Sequence, residues 1–154
     1  MSLNTLNERP EFISNEKLNK KIGYFSALID ELSKRKLSEK EVETINDEIQ
    51  NINSISISEK DFAKALTKSQ SNVLKVIEKE SKLVVKNHYR NLWLVLGMST
   101  FGVPLGVAFG ISIGNLGLLG LGLPIGMAIG VGFGTTLDAK AAKEGRQLDV
   151  VLTP

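Results

Sequence analysis

Residues 91–137, NLWLVLGMSTFGVPLGVAFGISIGNLGLLGLGLPIGMAIGVGFGTTL, decide the fold: 47 consecutive positions hold no Asp, Glu, Lys or Arg. A helix needs roughly 20 apolar residues to cross a hydrocarbon core of about 30 Å. One helix over the whole stretch would run about 70 Å. Two spans joined by a tight turn fit instead. Near the middle stands Asn115, in Ile113-Gly-Asn-Leu-Gly117, and Asn between glycines marks a turn. The pattern predicts spans near Leu92–Ile113 and Leu116–Leu137 with the turn near 114–117.

The glycines in this stretch are ordered. Gly102, Gly106, Gly110 and Gly114 are spaced by four, and so are Gly122, Gly126, Gly130 and Gly134. On a helix that spacing lines up one face. A face without Cβ atoms lets another helix backbone approach closely, and such packing drives association where lipid removes the hydrophobic force. These eight residues are the expected helix-packing interface between copies of the chain. An internal repeat underlies them: residues 101–114 align with 121–134 at an offset of twenty, with Gly, Pro and Ala positions matched.

Pro104 and Pro124 each fall about ten residues from the turn, about 15 Å deep on a helix rising 1.5 Å per residue. Each lacks an N–H and clashes with the carbonyl four residues earlier, here Thr100 and Gly120. Backbone groups freed at that depth need a hydroxyl, a protein neighbour or a cavity, and Ser99, Thr100 and Ser112 are the hydroxyls of the first span. The kinks fit the glycine faces together. In a rival reading they line a small permeation path.

The rest of the 154 residues is different in kind. Residues 1–90 carry 30 of the 36 charged side chains, so a mean hydropathy near zero hides two opposite halves. A soluble fold that sheltered the hairpin would need about 90 residues of modest apolar content to cover nearly 50 apolar ones, too few for a monomer. The stretch is internal and too long for a signal peptide. Lys82, Lys86 and Arg90 precede the first span, Lys140, Lys143 and Arg146 follow the second, and the turn carries no charge. Basic flanks stay in the cytoplasm, so both termini are expected there. Tyr89 and Trp93 stand where an interfacial aromatic belt would put them, and the same basic residues suit anionic headgroups.

Residues 1–14 read as a flexible terminus, 15–90 as a cytoplasmic helical region and 138–154 as a cytoplasmic tail. Leu18, Ile22, Phe25, Ile29 and Leu32 form a helical stripe ended by Lys34-Arg-Lys36. Ser38-Glu-Lys-Glu41 is a capping box that opens a second helix with Val42, Ile45, Ile49 and Ile52 on one face. Asn53-Ser-Ile-Ser-Ile57 breaks it, and Ser58 to Asp61 repeats the cap pattern. A third helix, seamed by Phe62, Leu66, Ser69, Val73, Val76, Glu80 and Leu83, is expected to reach about Val85 and to continue toward the membrane. The fold class is all-α: a small region of about three helices, then a two-helix transmembrane hairpin with glycine zippers.

No catalytic or metal site is expected, and no cofactor. With no Cys and one His, thiolate chemistry, disulfides and a His-based metal cluster have no residues to build on. His88 reads as an interfacial side chain. The glycine pattern at 120–126 lacks the Lys-Ser/Thr of a nucleotide loop. No ionisable residue lies within the spans, which argues against an ion-driven rotor or pump. A net charge of +2 gives no footprint for nucleic acid.

Lys86-Asn-His-Tyr-Arg-Asn-Leu-Trp93, Gly122-Leu-Pro-Ile-Gly-Met-Ala-Ile-Gly130 and Lys143-Glu-Gly-Arg-Gln-Leu-Asp149 resemble uncharacterised bacterial glycine-zipper membrane hairpin proteins over about residues 83–150. The resemblance implies a bacterial inner-membrane location and no active residues. The expected partners are the lipid bilayer, further copies of the chain, and a cytoplasmic or membrane protein. The leading functional expectation is a homo-oligomer that acts as a membrane-anchored interaction or scaffold component. Its rivals are a passive channel or membrane-disrupting pore, and a small subunit of a larger membrane complex.

Overall fold

The computed structural model describes residues 2–12, 15–55, 58–115, 117 and 119–152. It is 76% helix, which places the chain in the all-α class. The backbone divides into Met1–Val85 with Leu148–Pro154 (unit 1) and Lys86–Gln147 (unit 2).

Unit 1 is built on α1 (Glu16–Ser33), α2 (Glu39–Ser54) and α3 (Glu59–Glu80). Each starts on a side-chain cap. Asn15 accepts the N–H of Leu18, Ser38 and Glu41 form the reciprocal capping box, and Ser58 accepts the N–H of Asp61. Each buries one apolar stripe: Phe25, Leu28, Ile29 and Leu32 from α1, Val42, Ile45, Ile49 and Ile52 from α2, and Phe62, Leu66, Val73 and Ile77 from α3. The seam of α3 drifts to Ile77, whereas Val76 is half-buried and Glu80 is exposed. A straight helix has 3.6 residues per turn, and a heptad projection of 3.5 slips over three turns.

The segment at 2–12, expected to be loose, is tied to α2. Asn4 and Asn7 donate their N–H groups to the side chains of Asn46 and Asn53. The Arg9 guanidinium donates to the carbonyls of Ile52, Asn53 and Ile55, closing the C-terminus of α2. Phe12 stacks at 4.9 Å on Phe62 in the core. Met1, Ile13 and Ser14 of that segment lie outside the described residues, as do Ser56 and Ile57 of the expected break.

The third helix stops at Glu80, five residues short of its expected end, and does not continue. Lys82 takes a left-handed backbone (φ 57°), its ammonium donates to the Lys79 carbonyl at 3.0 Å, and the N–H of Leu83 turns back to the Ile77 carbonyl. A short strand β1 (Val84–Val85) follows and pairs with β2 (Gln147–Leu148). The residues expected as a tail are thereby divided. Residues 138–143 are helical, while Leu148 and Val150 are buried, Leu148 within the core of unit 1.

Unit 2 is a helical hairpin. Its first arm, His88–Ile113, is continuous and consists of α4 (His88–Gly97), a π turn (Met98–Gly102) and α5 (Val103–Ile113). Its second arm is α6 (Leu119–Lys143). The expected spans started or stopped at the charge-free boundary. The helices run past it, from His88 and to Lys143, because Arg90 and Lys140 are ordinary helix formers. Gly114 closes α5 with φ 67°, the N–H of Asn115 reaches the Gly110 carbonyl, and the Asn115 side chain accepts the N–H of Gly117. Leu116, in the expected turn and at the start of the expected second span, and Leu118 of that span lie outside the described residues. Both arms are long and apolar enough to cross a membrane, and only 22% of either window is buried.

Candidate functional site

The inner face of the hairpin is made of backbone. In α6, Gly122, Gly126, Gly130 and Gly134 are buried at every fourth position. Opposite them Gly97, Gly102, Gly106 and Gly110 are buried in the first arm. A Cβ on Gly122 would come within 2.6 Å of the Gly106 Cα, one on Gly126 within 2.6 Å of the Gly102 Cα, one on Gly130 within 2.8 Å of the Trp93 carbonyl carbon, and one on Gly134 within 2.5 Å of the Arg90 Cα. No real side chain fits such gaps, so each of these positions admits only glycine without moving a helix. The glycines expected to meet a second copy thus meet the other arm of the same hairpin.

Two residues change places relative to the expected stripes. Gly114 is exposed and serves the turn, with open space around it. Gly97 takes the remaining place on the packing face. Gly102 lies five positions after Gly97, a spacing that on an α-helix would turn them apart. The π turn between them absorbs the extra residue: the N–H of Val103 donates to the Met98 carbonyl, five positions back.

That turn also accommodates Pro104, which lies two residues beyond it and has no N–H for the Thr100 carbonyl. The hydroxyls of Ser99 and Thr100, placed by sequence near a kink, fold back on their own helix. Ser99 donates to the carbonyls of Val95 and Leu96 at 3.1 Å, and Thr100 donates to the Leu96 carbonyl. Pro124 is handled differently, inside an unbroken α6. Ser112 is exposed on the outside of α5.

The open end of the hairpin is closed by an acid that sequence reasoning passed over. Asp138 is 7% exposed and continues the series of Gly122 to Gly134 by four. Its carboxylate accepts the N–H of Tyr89 at 3.1 Å and of Arg90 at 2.9 Å, in the first turn of α4. Asn87, in the N-cap position, has φ 62° and makes no side-chain cap. The positive end of the α4 dipole therefore faces a negative group supplied by the other arm. The signal was the four-residue period itself, continued beyond the last glycine.

The basic and aromatic flanks come from the two ends of the unit 2 sequence, which meet at the open end of the hairpin. Trp93 is half-buried against the Phe133 ring at 5.7 Å. Lys140 and Lys143 occupy the last turn of α6, as cations suit a helix C-terminus. Arg146 donates to Glu144 at 2.7 Å, and hydrogen bonds to Glu144 and then Tyr89 hold its guanidinium above its usual pKa. Lys86 and Arg90 are exposed, and Lys82 belongs to the cap of α3.

The outer surface is the reverse of the inner one. Leu92, Val95, Phe101, Val103, Ile111, Ile113, Leu121 and Phe133 are each 41–69% exposed. A second set of small residues also lies outside: Thr100, Pro104, Ala108 and Ser112 on the first arm, and Gly120, Pro124, Ala128, Gly132 and Thr136 on α6. Both sets are spaced by four and sit two residues out of step with the buried glycines, hence on the opposite side of each helix. No family model matches the chain, and no curated protein or solved structure matches it.

Proposed function

We propose that this chain is an integral membrane protein whose hairpin anchors a small helical unit at the cytoplasmic surface, and that copies of it associate in the bilayer as a scaffold. One observation carries the membrane reading. The large apolar side chains of both arms point outward, while the inner faces are filled by glycine backbone. A core helix of a soluble protein has the opposite arrangement. Exposed Leu, Ile and Phe at this density would be unfavourable in water by about 25 cal/mol for each Å². In lipid they meet a solvent as apolar as themselves.

The basic flanks favour placing the open end, and with it both termini, in the cytoplasm. The resemblance stated above makes the bacterial inner membrane the proposed location. Association between copies would use the outer small-residue faces, because the inner glycines are occupied within one hairpin. Gly120 and Gly132 have open space where a Cβ would stand.

The test has two steps. Membranes containing the chain are washed with alkaline carbonate, and the protein is expected to remain in the pellet. Release into the supernatant would sink the membrane reading. Native mass spectrometry of nanodisc particles then compares wild type with the double change Ala128→Leu and Gly132→Leu. Loss of oligomers in the double variant supports association through the outer face. Persistence of the oligomer in it refutes that face, and a stoichiometric foreign protein in the particle would favour a subunit of a larger complex.

A further inference from the structure

One face of unit 1 is strongly basic. A groove of about 560 Å³ opens between α1 and α3, lined by Lys21, Lys64, Thr67, Lys68, Ser71 and Lys75 among others. Its cations lie in a row. On α3, Lys60, Lys64, Lys68, Lys75 and Lys79 fall within about 100° of one another at 100° per residue, so they share a face. Lys21 reaches across from α1 and donates to the Thr67 hydroxyl at 3.2 Å.

Elsewhere in unit 1 several cations are paired. Lys20 meets Glu16, Lys40 meets Glu80, and Lys34 and Arg35 meet Glu31. In the groove the balance fails. Asp61 stands 3.6 Å from Lys64 at one edge. Lys68 and Lys75 have no hydrogen bond or ion pair among the described residues. The lining holds no carboxylate and no Arg. Glu48 lies behind it, already accepting from Ser69 and Asn72. Lysines four apart on a helix repel one another, so the free groove holds an unneutralised positive field.

We propose that this groove binds a multiply charged phosphate group. Lys ammonium groups are point charges with three donors each and suit tetrahedral oxygens approached from several sides. A planar carboxylate is matched better by the fork of an Arg, which the groove lacks. The hydroxyls of Thr67 and Ser71 add neutral oxygen partners. The phosphate has two sources, a soluble phosphorylated compound or the headgroup of an anionic lipid. Only the lipid source rests on the membrane reading above.

The experiment is lysine acetylation footprinting of the full chain, read by mass spectrometry, with exposed Lys36 as the internal reference. In one arm the chain sits in phosphatidylcholine nanodiscs and inorganic tripolyphosphate is added. In the other the nanodiscs contain phosphatidylglycerol and no phosphate is added. The expected result is a slowing of roughly tenfold at Lys64, Lys68 and Lys75 relative to Lys36, as follows when a probe occupies nine-tenths of its sites. The protection of Lys75 is expected to disappear in the Lys64→Gln, Lys68→Gln variant. Protection in the first arm identifies a soluble phosphate, and protection in the second identifies lipid. No protection in either arm overturns the proposal, and so does equal slowing at Lys36, which is screening alone. If the chain fails to enter nanodiscs the membrane reading falls, and the tripolyphosphate arm, run in water, still decides the groove.

Discussion

Asp138 accepts the backbone N–H of Arg90 at 2.9 Å, joining the end of the second arm of the hairpin to the start of the first. The same carboxylate takes the N–H of Tyr89 at 3.1 Å. It therefore caps α4 from 48 residues away in sequence, in place of the side chain that Asn87 does not offer. Asp138→Ala leaves two donors of α4 without this partner at a part-buried site. The expected loss is roughly 1–3 kcal/mol of hairpin stability. Asp138→Asn keeps one acceptor and removes the charge that faces the helix dipole, so it should fall between Ala and wild type. Reversible unfolding in detergent would give the order. An Asn variant weaker than the Ala variant would mean that the carboxylate is not acting as a cap.

The glycines of α6 divide into positions that can accept a methyl group and positions that cannot. At Gly130 a Cβ meets the Trp93 carbonyl carbon at 2.8 Å, and at Gly132 it meets nothing within 4 Å. Gly130→Ala must push the arms apart and separate the contacts that Gly126 and Gly134 make on either side. Gly132→Ala removes a helix-destabilising residue at no steric cost, and intrinsic propensity alone favours it by about 1 kcal/mol. Opposite signs are expected for the two changes. Distances between spin labels at Val95 and Val131 should lengthen in Gly130→Ala alone. Equal effects would remove the backbone-to-backbone packing from the account.

What could be read in advance depended on how local the cause was. The stripe of Val42, Ile45, Ile49 and Ile52 and the box of Ser38 and Glu41 are set within one or two turns, and both appear as expected. The turn at Gly114 is equally local. Gly97 was missed because its spacing to Gly102 is five, and a π turn leaves no simple period in the residues. Asp138 stands in register with four glycines, but no local motif marks it as a cap for a helix 48 residues away. The β1 and β2 pair joins two-residue segments far apart in the chain, and nothing near Val84 announces Leu148. The sequence around Glu31 does not mark it as buried. It is 9% exposed and holds three donors, one of them the N–H of Asp149.

Glu31 also makes a prediction about pH. Burial raises its pKa, but hydrogen bonds from Lys34, the Asp149 N–H and Arg35 outweigh burial and hold it below its usual 4.5. A carboxyl with a depressed folded-state pKa stabilises the native state fully above its unfolded value. That contribution is lost as the pH falls through the folded value. Unit 1 in the full chain should therefore unfold more readily below about pH 4.5, and Glu31→Gln should flatten that dependence. At neutral pH the variant should lose roughly 1.5–3 kcal/mol, the range for hydrogen bonds to a charged group. Thermal unfolding of both proteins between pH 3 and 7, an interval bracketing ordinary carboxylate titration, gives the comparison. A pH dependence as steep in the variant as in wild type would assign the acid sensitivity to other carboxylates.

Pro104 and the π turn at Met98–Gly102 permit a test of which causes the other. If the proline forces the turn, Pro104→Ala restores an N–H for the Thr100 carbonyl and the segment should relax to α-helix. That relaxation gains one hydrogen bond, about 1 kcal/mol net. It would also rotate Gly97 by about 100° relative to Gly102, taking it off the face where it meets Gly126 and Gly130. The same rotation would carry Tyr89 and Arg90 away from Asp138, separating a charged cap that is itself comparable to or larger than the hydrogen bond gained. The losses exceed the gain, so the register of the glycines holds the π turn and the proline merely tolerates it. Pro104→Ala is expected to keep the turn, with stability changed by less than about 1 kcal/mol. Backbone chemical shifts at Ser99 to Gly102 should remain those of wild type. A shift to ordinary helical values, with the Tyr89 and Arg90 amides newly exposed to exchange, would show that the proline sets the geometry and that the glycine faces adapt to it.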